Sequence, residues 1–457
     1  MKKVVSMLII ILMLTCNFVY AGNEEYISIT VSEADNINSI ISRLDKGTIL
    51  LQCGEYTITE SINLKSNIKI KGNGATLINE TGGDLFNIKG SFHEETIITH
   101  DIKAAALAGT YYFKVNVADP TGFNAGDIVE IKDNQGTEYN KIHHIEGNYI
   151  YLINRPIYFY KVSEDIKIKK VKLIENVTIE DLTIIQRDNS NDVFYIDYGR
   201  HINITNNIIN GVKTSGHSVC VNNAEMVDII NNEFHSGNNA VNLEHNARRC
   251  KVNNNRMHNT WIGVMVAGHQ NNILNNTIVG SGTNYGSGDG ITVTGIASNN
   301  VISDNLIEGG DCYGIWITGT YPQNIILKGN IVRAGITTGI MITKGEGHVV
   351  TNNITEYNSH GIAVDGILEK IKNVVISNNI SRNNVSSGII VYSNNKSVLI
   401  QGNNVYDNGK STSVYATDIS IAFSDNVIVK DNLVGKDILD RQNGVNVQFI
   451  NNIKVIQ

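Results

Sequence analysis

Asp289, Asp311 and Asp365, with Lys344 and His360 among them, lie near glycines along one stretch of the chain, and these residue types carry out proton-transfer chemistry. Two carboxyl groups flanking a sugar–sugar bond suffice for hydrolysis, one as acid and one as base or nucleophile, which makes Asp289 with Asp311 or Asp365 a candidate pair. Elimination beside a uronate needs a base and a cation, roles open to Lys344, His360, Tyr313 or the adjacent Arg248 and Arg249. The same positions have a plainer explanation, because Asp and His are common beside glycine in turns for backbone reasons. Trp316, Tyr313 and Tyr392 add aromatic faces of the kind that stack on sugar rings.

A second polar group stands upstream: His217, Glu244, His245, Arg248, Arg249 and His269. Glu244 reads as outward-facing, and the two arginines present guanidinium forks that suit a carboxylated sugar. A solvated salt-bridge patch is the alternative. His143 and His144 are neighbours on an expected strand, where successive side chains point to opposite faces, so they read as two independent surface histidines.

The elements that must position these groups repeat. An asparagine follows an apolar pair and a small polar residue from Asn207 and Asn232 through Asn330 and Asn353 to Asn432 and Asn452, at intervals of about 20 to 29 residues, a solenoid period. Each repeat has a second, glycine-led apolar block: GVMV at 263, GITV at 290, GIWI at 314, GIMI at 339, GIAV at 361, GIIV at 388 and GVNV at 444. Short alternating Ile/Val runs between Asn and Gly turns are strands, and a strand beside its equivalent one repeat on is parallel to it. The prediction is an all-β parallel β-helix whose asparagines bond up and down the stack. Alternation then places Asn242, Met265, Thr292, Trp316, Met341, Ala363 and Ile390 in one outward column, flanked by Glu244, Asp365 and Tyr392. That column reads as a saccharide groove, or as a face covered by another part of the protein. Glu308, Arg333, Glu356 and Arg382 alternate in sign over consecutive rungs and read as a structural charge ladder.

With its Asn-rich repeats and the segment GTILLQCGEYTITESINLKSNIKIKGNGATLIN at 47–79, the chain resembles the pectate-lyase-like superfamily of right-handed single-stranded parallel β-helices, in particular a branch active on surface polysaccharides. The resemblance covers most of residues 45–457. It implies a polysaccharide partner and, through tailspike-like members, a trimer. The superfamily hosts lyases, hydrolases and adhesins on one scaffold, so it does not fix the chemistry. Polygalacturonase-like aspartate motifs, the D-P-H-D motif of alginate epimerases and a calcium-type aspartate cluster are absent from the sequence.

Four regions follow. Residues 1–21 read as a signal peptide, with Lys2 and Lys3, an apolar run and Val19-Tyr20-Ala21, and imply a secreted or periplasmic protein; a lipid anchor at Cys16 fits the preceding residues poorly. Residues 22–92 hold a cap, with a helix starting at Asp35-Asn36 and running through Ile37, Ile40, Ile41 and Leu44, and then the first coils. Residues 93–171 break the repeat as a small antiparallel β insert, and 172–457 form the helix proper. With a net charge of −7 among 457 residues, the chain is a poor partner for nucleic acid, and no membrane span is expected. Cys220, Cys250 and Cys312 occupy unlike offsets from their ladder asparagines, and with Cys53 they read as buried free thiols; with no C-x-x-C, H-E-x-x-H or EF-hand loop, neither metal nor cofactor is expected. The expected function is a secreted polysaccharide lyase or glycoside hydrolase, the alternative a non-catalytic carbohydrate-binding surface protein, adhesin or periplasmic accessory factor.

Overall fold

The computed structural model describes residues 25–455 apart from 31–36, 103–112, 134–136, 155, 157–159, 188–190, 212–215, 245, 283–286, 336, 367–370, 394, 413–415 and 441–444. The signal segment, the Asp35-Asn36 helix start and His245 lie outside the described residues. Among those described, three long parallel sheets of 15, 14 and 13 strands run the length of the molecule, and a six-stranded antiparallel sheet stands beside them.

One rung shows the construction. Ile326–Lys328 belongs to the first sheet, Ile331–Gly335 to the second and Thr338–Ile342 to the third, before the chain returns to the first at Val349–Thr351. Ile and Val alternate inward, and the inward residues of all three sheets merge into one continuous core.

The first corner explains the doubled asparagines. The residue before each ladder Asn, such as Asn231, Asp304, Gly329, Asn352 or Asn378, has φ between 49° and 67°, the left-handed region that Asn, Asp and Gly enter most readily. The next Asn faces inward. Asn305 gives both its main-chain N–H (3.1 Å) and its Nδ2 (2.9 Å) to Asn330 Oδ1, and Asn330 does the same to Asn353 Oδ1 (2.9 and 2.9 Å). The Nδ2 also donates to a carbonyl of an earlier rung, as Asn330 does to Ile302 O (2.9 Å). Thus a buried polar residue meets its full hydrogen-bonding requirement and that of the turn. The row runs unbroken from Asn207 to Asn452.

Two shorter rows escaped the sequence reading. Asn358, Asn384 and Asn408 repeat the pattern between the second and third sheets, and Asp418 takes the next place. Between the third sheet and the first, Asn271 bonds Asn300, and His348 Nδ1 later accepts from the Ile325 amide.

The glycine-led blocks build the third sheet, with one exception. GVNV at 444 was expected there, yet Val445 and Asn446 lie in the turn leading to the first-sheet strand Gln448–Ile450, and the third-sheet strand of that rung is Ile438–Asp440. At the other end, the helix Ile37–Arg43 buries Ile37 and Ile41 against the core. Asn38 Oδ1 accepts from the Asn63 amide (2.9 Å), so the helix also satisfies the exposed edge of the third sheet.

The insert is antiparallel, in the strand order Ser91–Ile97, Lys167–Lys172, Ile128–Lys132, Thr137–Glu146, Tyr149–Leu152 and Phe113–Asn116, and has a small core of its own. It corrects the expectation for the paired histidines. A bulge between Ile142 and His144 cancels the alternation, and His143 Nδ1 lies 2.7 Å from His144 Nδ1.

Candidate functional site

The outward face of the third sheet carries three parallel columns. Register pairs Cys220, Asn242, Met265, Thr292, Trp316 and Met341 along the central one, which continues through Ala363 and Ile390. Two residues before each strand's first core position stand His217, Asn239, Ile262, Asp289, Tyr313, Thr338 and His360. Asp365 and Tyr392 are paired neighbours on the far side of the central column.

In the C-terminal half this face is apolar and covered. Met341, Ala363 and Ile390 point outward as alternation demands but are buried, because Tyr313, Trp316 and Tyr392 pack over them. The Tyr313 and Trp316 rings lie 5.0 Å apart at 45°, and Trp316 Nε1 donates to Thr343 Oγ1 (3.1 Å), which fixes the indole. Tyr392 hydrogen-bonds Asp365, and burial followed by the Asp365 charge holds its phenol well above the usual tyrosine range. Burial also raises Tyr313, with smaller contributions from Cys312, Asp289 and Asp365.

Asp289 is buried, and both its oxygens are engaged: Oδ2 accepts from Thr292 Oγ1 (2.7 Å), Oδ1 from the Tyr313 amide (3.0 Å). Burial pushes its carboxyl up against those hydrogen bonds. Register places Asp289 three rungs from Asp365, on the order of 14 Å along the axis alone and on opposite sides of the central column, beyond the spacing at which two carboxyl groups share one glycosidic bond. Asp311 lies in the preceding turn of the Tyr313 rung, its amide on Ser281 O (3.0 Å). Lys344 follows Thr343 at the exit of the third sheet, and its carbonyl bonds His348 Nε2 (3.0 Å). His360 is held below the usual histidine range by burial, and its Nδ1 accepts from the Ser387 amide (3.4 Å).

The upstream residues divide. Glu244 accepts from Asn242 Nδ2 (2.7 Å) on the outward face. Arg248 was expected at the surface but is fully buried, in the electrostatic neighbourhood of Glu130 and Tyr139 of the insert. Tyr139 Oη donates to Asn223 O (2.5 Å) across the same junction, so Arg248 serves the docking of the insert and reaches no surface ligand. Arg249 bonds Glu225 (2.6 Å) in a row with Arg200. Of the four cysteines, Cys220 and Cys250 are buried as expected, whereas Cys53 is exposed and Cys312 only part-buried.

Sequence reasoning missed Asp192. Its Oδ1 accepts from the His217 amide (2.7 Å) and lies 2.9 Å from His217 Nδ1, and Cys220 stands beside both. Counting two positions back from Phe194, as from every other third-sheet strand, identifies it.

Residues 157–332 match the family model described as a right handed beta helix region, and residues 286–440 match that of the periplasmic copper-binding protein NosD. The fold is a right-handed parallel β-helix. Over 161 residues it is 26% identical to the capsule K1-specific depolymerase of Klebsiella phage K64-1, a match covering 33% of this chain and 18% of that protein. The fold is similar to tailspike protein 3 of bacteriophage CBA120 (TM-score 0.54, 11% identity, 93% of this chain and 59% of that one). It is also similar to the tailspike gp49 of Pseudomonas phage LKA1 (0.53, 12%, 92% and 71%). The A-module of mannuronan C-5 epimerase AlgE6 of Azotobacter vinelandii gives 0.51 at 13% identity, over 93% of this chain and 96% of that one. No described helix is long and apolar enough to cross a membrane.

Proposed function

We propose that the chain acts outside the cytoplasm, binds a polysaccharide along the outward face of the third sheet and cleaves it beside Asp365 and Tyr392. The observation that carries this is the group of Tyr313, Trp316 and Tyr392 gathered over one apolar strip with a hydrogen-bonded carboxyl and phenol at its edge. Aromatic faces take up sugar rings, and the parallel columns give a linear polymer a repeating surface. The raised phenol of Tyr392 keeps its proton and serves as donor, while Asp365 accepts one, either from water or from the carbon beside a uronate carboxyl. The depolymerase and the epimerase among the similar proteins are named for work on polysaccharides, which supports the substrate class.

The test is a panel of uronic-acid and neutral polysaccharides incubated with the protein. New ultraviolet absorbance marks elimination, and new reducing ends without it mark hydrolysis. Asp365→Asn and Tyr392→Phe are expected to lose cleavage and keep binding. A second reading, binding without cleavage, draws on the engagement of both Asp289 oxygens and the three-rung gap to Asp365. Saturable binding with neither product would establish it in place of the first.

A further inference from the structure

At the N-terminal end of the same face, three unlike donor atoms converge. One atom each from Asp192, His217 and Cys220 lies within 4.8 Å of the others: a carboxylate oxygen, an imidazole nitrogen and a sulfur. Asp192 and Cys220 are buried, whereas His217 is about a quarter exposed at its side chain, so the cluster has closed walls and one open side.

The surroundings hold the donors in place. The His217 amide fixes Asp192 Oδ1 (2.7 Å), and Asn242 Nδ2 lies 3.4 Å from His217 Nε2. A methyl group at Gly216 would stand 2.7 Å from Asp192 Oδ1 and 2.5 Å from the Asn191 carbonyl carbon, so only glycine leaves this cradle open. One rung on, two buried side-chain oxygens, Asn239 Oδ1 and Asn242 Oδ1, have no hydrogen-bond partner. Buried acceptors of this kind call for a donor from outside the chain.

We propose that Asp192, His217 and Cys220 bind a divalent transition-metal ion of the zinc class. One oxygen, one nitrogen and one sulfur donor suit an ion of borderline softness, and three protein ligands leave a fourth position toward the open side. Binding replaces the Cys220 S–H bond by a metal–thiolate bond, and the proton leaves to solvent. The donors lie outside residues 286–440, so the match to the copper-binding family model does not supply them.

The test reads metal binding alone and is independent of any polysaccharide. The protein, kept reduced, is titrated with cobalt(II) chloride while the near-ultraviolet thiolate-to-cobalt charge-transfer band is followed. One equivalent is expected, displaced by zinc(II) chloride. The band is expected to vanish in Cys220→Ser, to weaken by at least about tenfold in Asp192→Asn and His217→Ala, and to persist in Cys53→Ser. His217→Ala alters the most exposed donor, so its weakened cobalt binding with an unchanged circular dichroism spectrum supports the site even where Cys220→Ser misfolds. Absence of the band, its survival in Cys220→Ser, or an unchanged affinity in folded His217→Ala overturns the proposal.

Discussion

His348 shows what a single ring contributes to this fold. It takes a place otherwise held by asparagine, with Nδ1 accepting from the Ile325 amide and Nε2 donating to Lys344 O, a pattern only the neutral imidazole satisfies. Burial lowers it from 6.5 to about 4. The folded pKa lies below the unfolded one, so the contribution is complete above about pH 6.5 and is lost as pH falls toward 4, on the order of 3 kcal/mol. The fall in melting temperature between pH 7 and pH 4 is therefore expected to be smaller in His348→Asn than in the parent chain. Trp316 offers a contrasting prediction on binding. Trp316→Ala is expected to weaken polysaccharide binding by about 1 kcal/mol or more, beyond what its fall in stability explains, read by affinity electrophoresis beside thermal melting. How legible such residues are depends on what brings them together. Asp365 and Trp316 follow from alternation, whereas Asp192 and His217 meet only through stacking and form no local motif.

Elements fail by different amounts according to what they leave unpaired. Asn330→Ala removes the acceptor of two buried Asn305 donors and should cost about 2 to 4 kcal/mol in urea unfolding. Arg333→Ala removes a part-exposed pair to Glu308 and a long 3.9 Å contact to buried Glu356, which keeps Arg382, and should cost less than about 1 kcal/mol. The insert gives a sharper comparison. Arg248→Ala empties a fully buried position in the electrostatic neighbourhood of Glu130 of the insert and is expected to lower the urea midpoint clearly. Arg249→Ala, at the surface beside Glu225, should cost far less. The ladder and the strand registers were readable because a left-handed corner and a two-residue alternation both restrict residue type. The burial of Arg248 was not, because its neighbour Glu130 stands more than a hundred residues earlier on an element with its own pattern. The bulge that joins His143 to His144 was equally hidden, since alternation assumes the regularity that a bulge breaks.

For the whole molecule, charge and shape point to different forces. An acidic chain with a net charge of −7 has no general attraction for acidic polymers, so binding on the aromatic strip should rest on contact area. Raising NaCl from about 0.05 M to about 0.5 M is then expected to leave polysaccharide affinity nearly unchanged, and a steep loss would assign the binding to charge. The asparagine row bears on this in another way. Each amide oxygen fixes the height of its rung above the last and places no demand on perimeter. Rungs of about 20 and about 29 residues therefore stack alike, and the surplus leaves at the corners, as it does in the rung that carries Asp289. The stack works as a ruler along one axis only. Loops bordering the third sheet can lengthen, shorten or be exchanged while the pitch beneath them stays the same, so the borders of the proposed binding face are free to change faster than its floor.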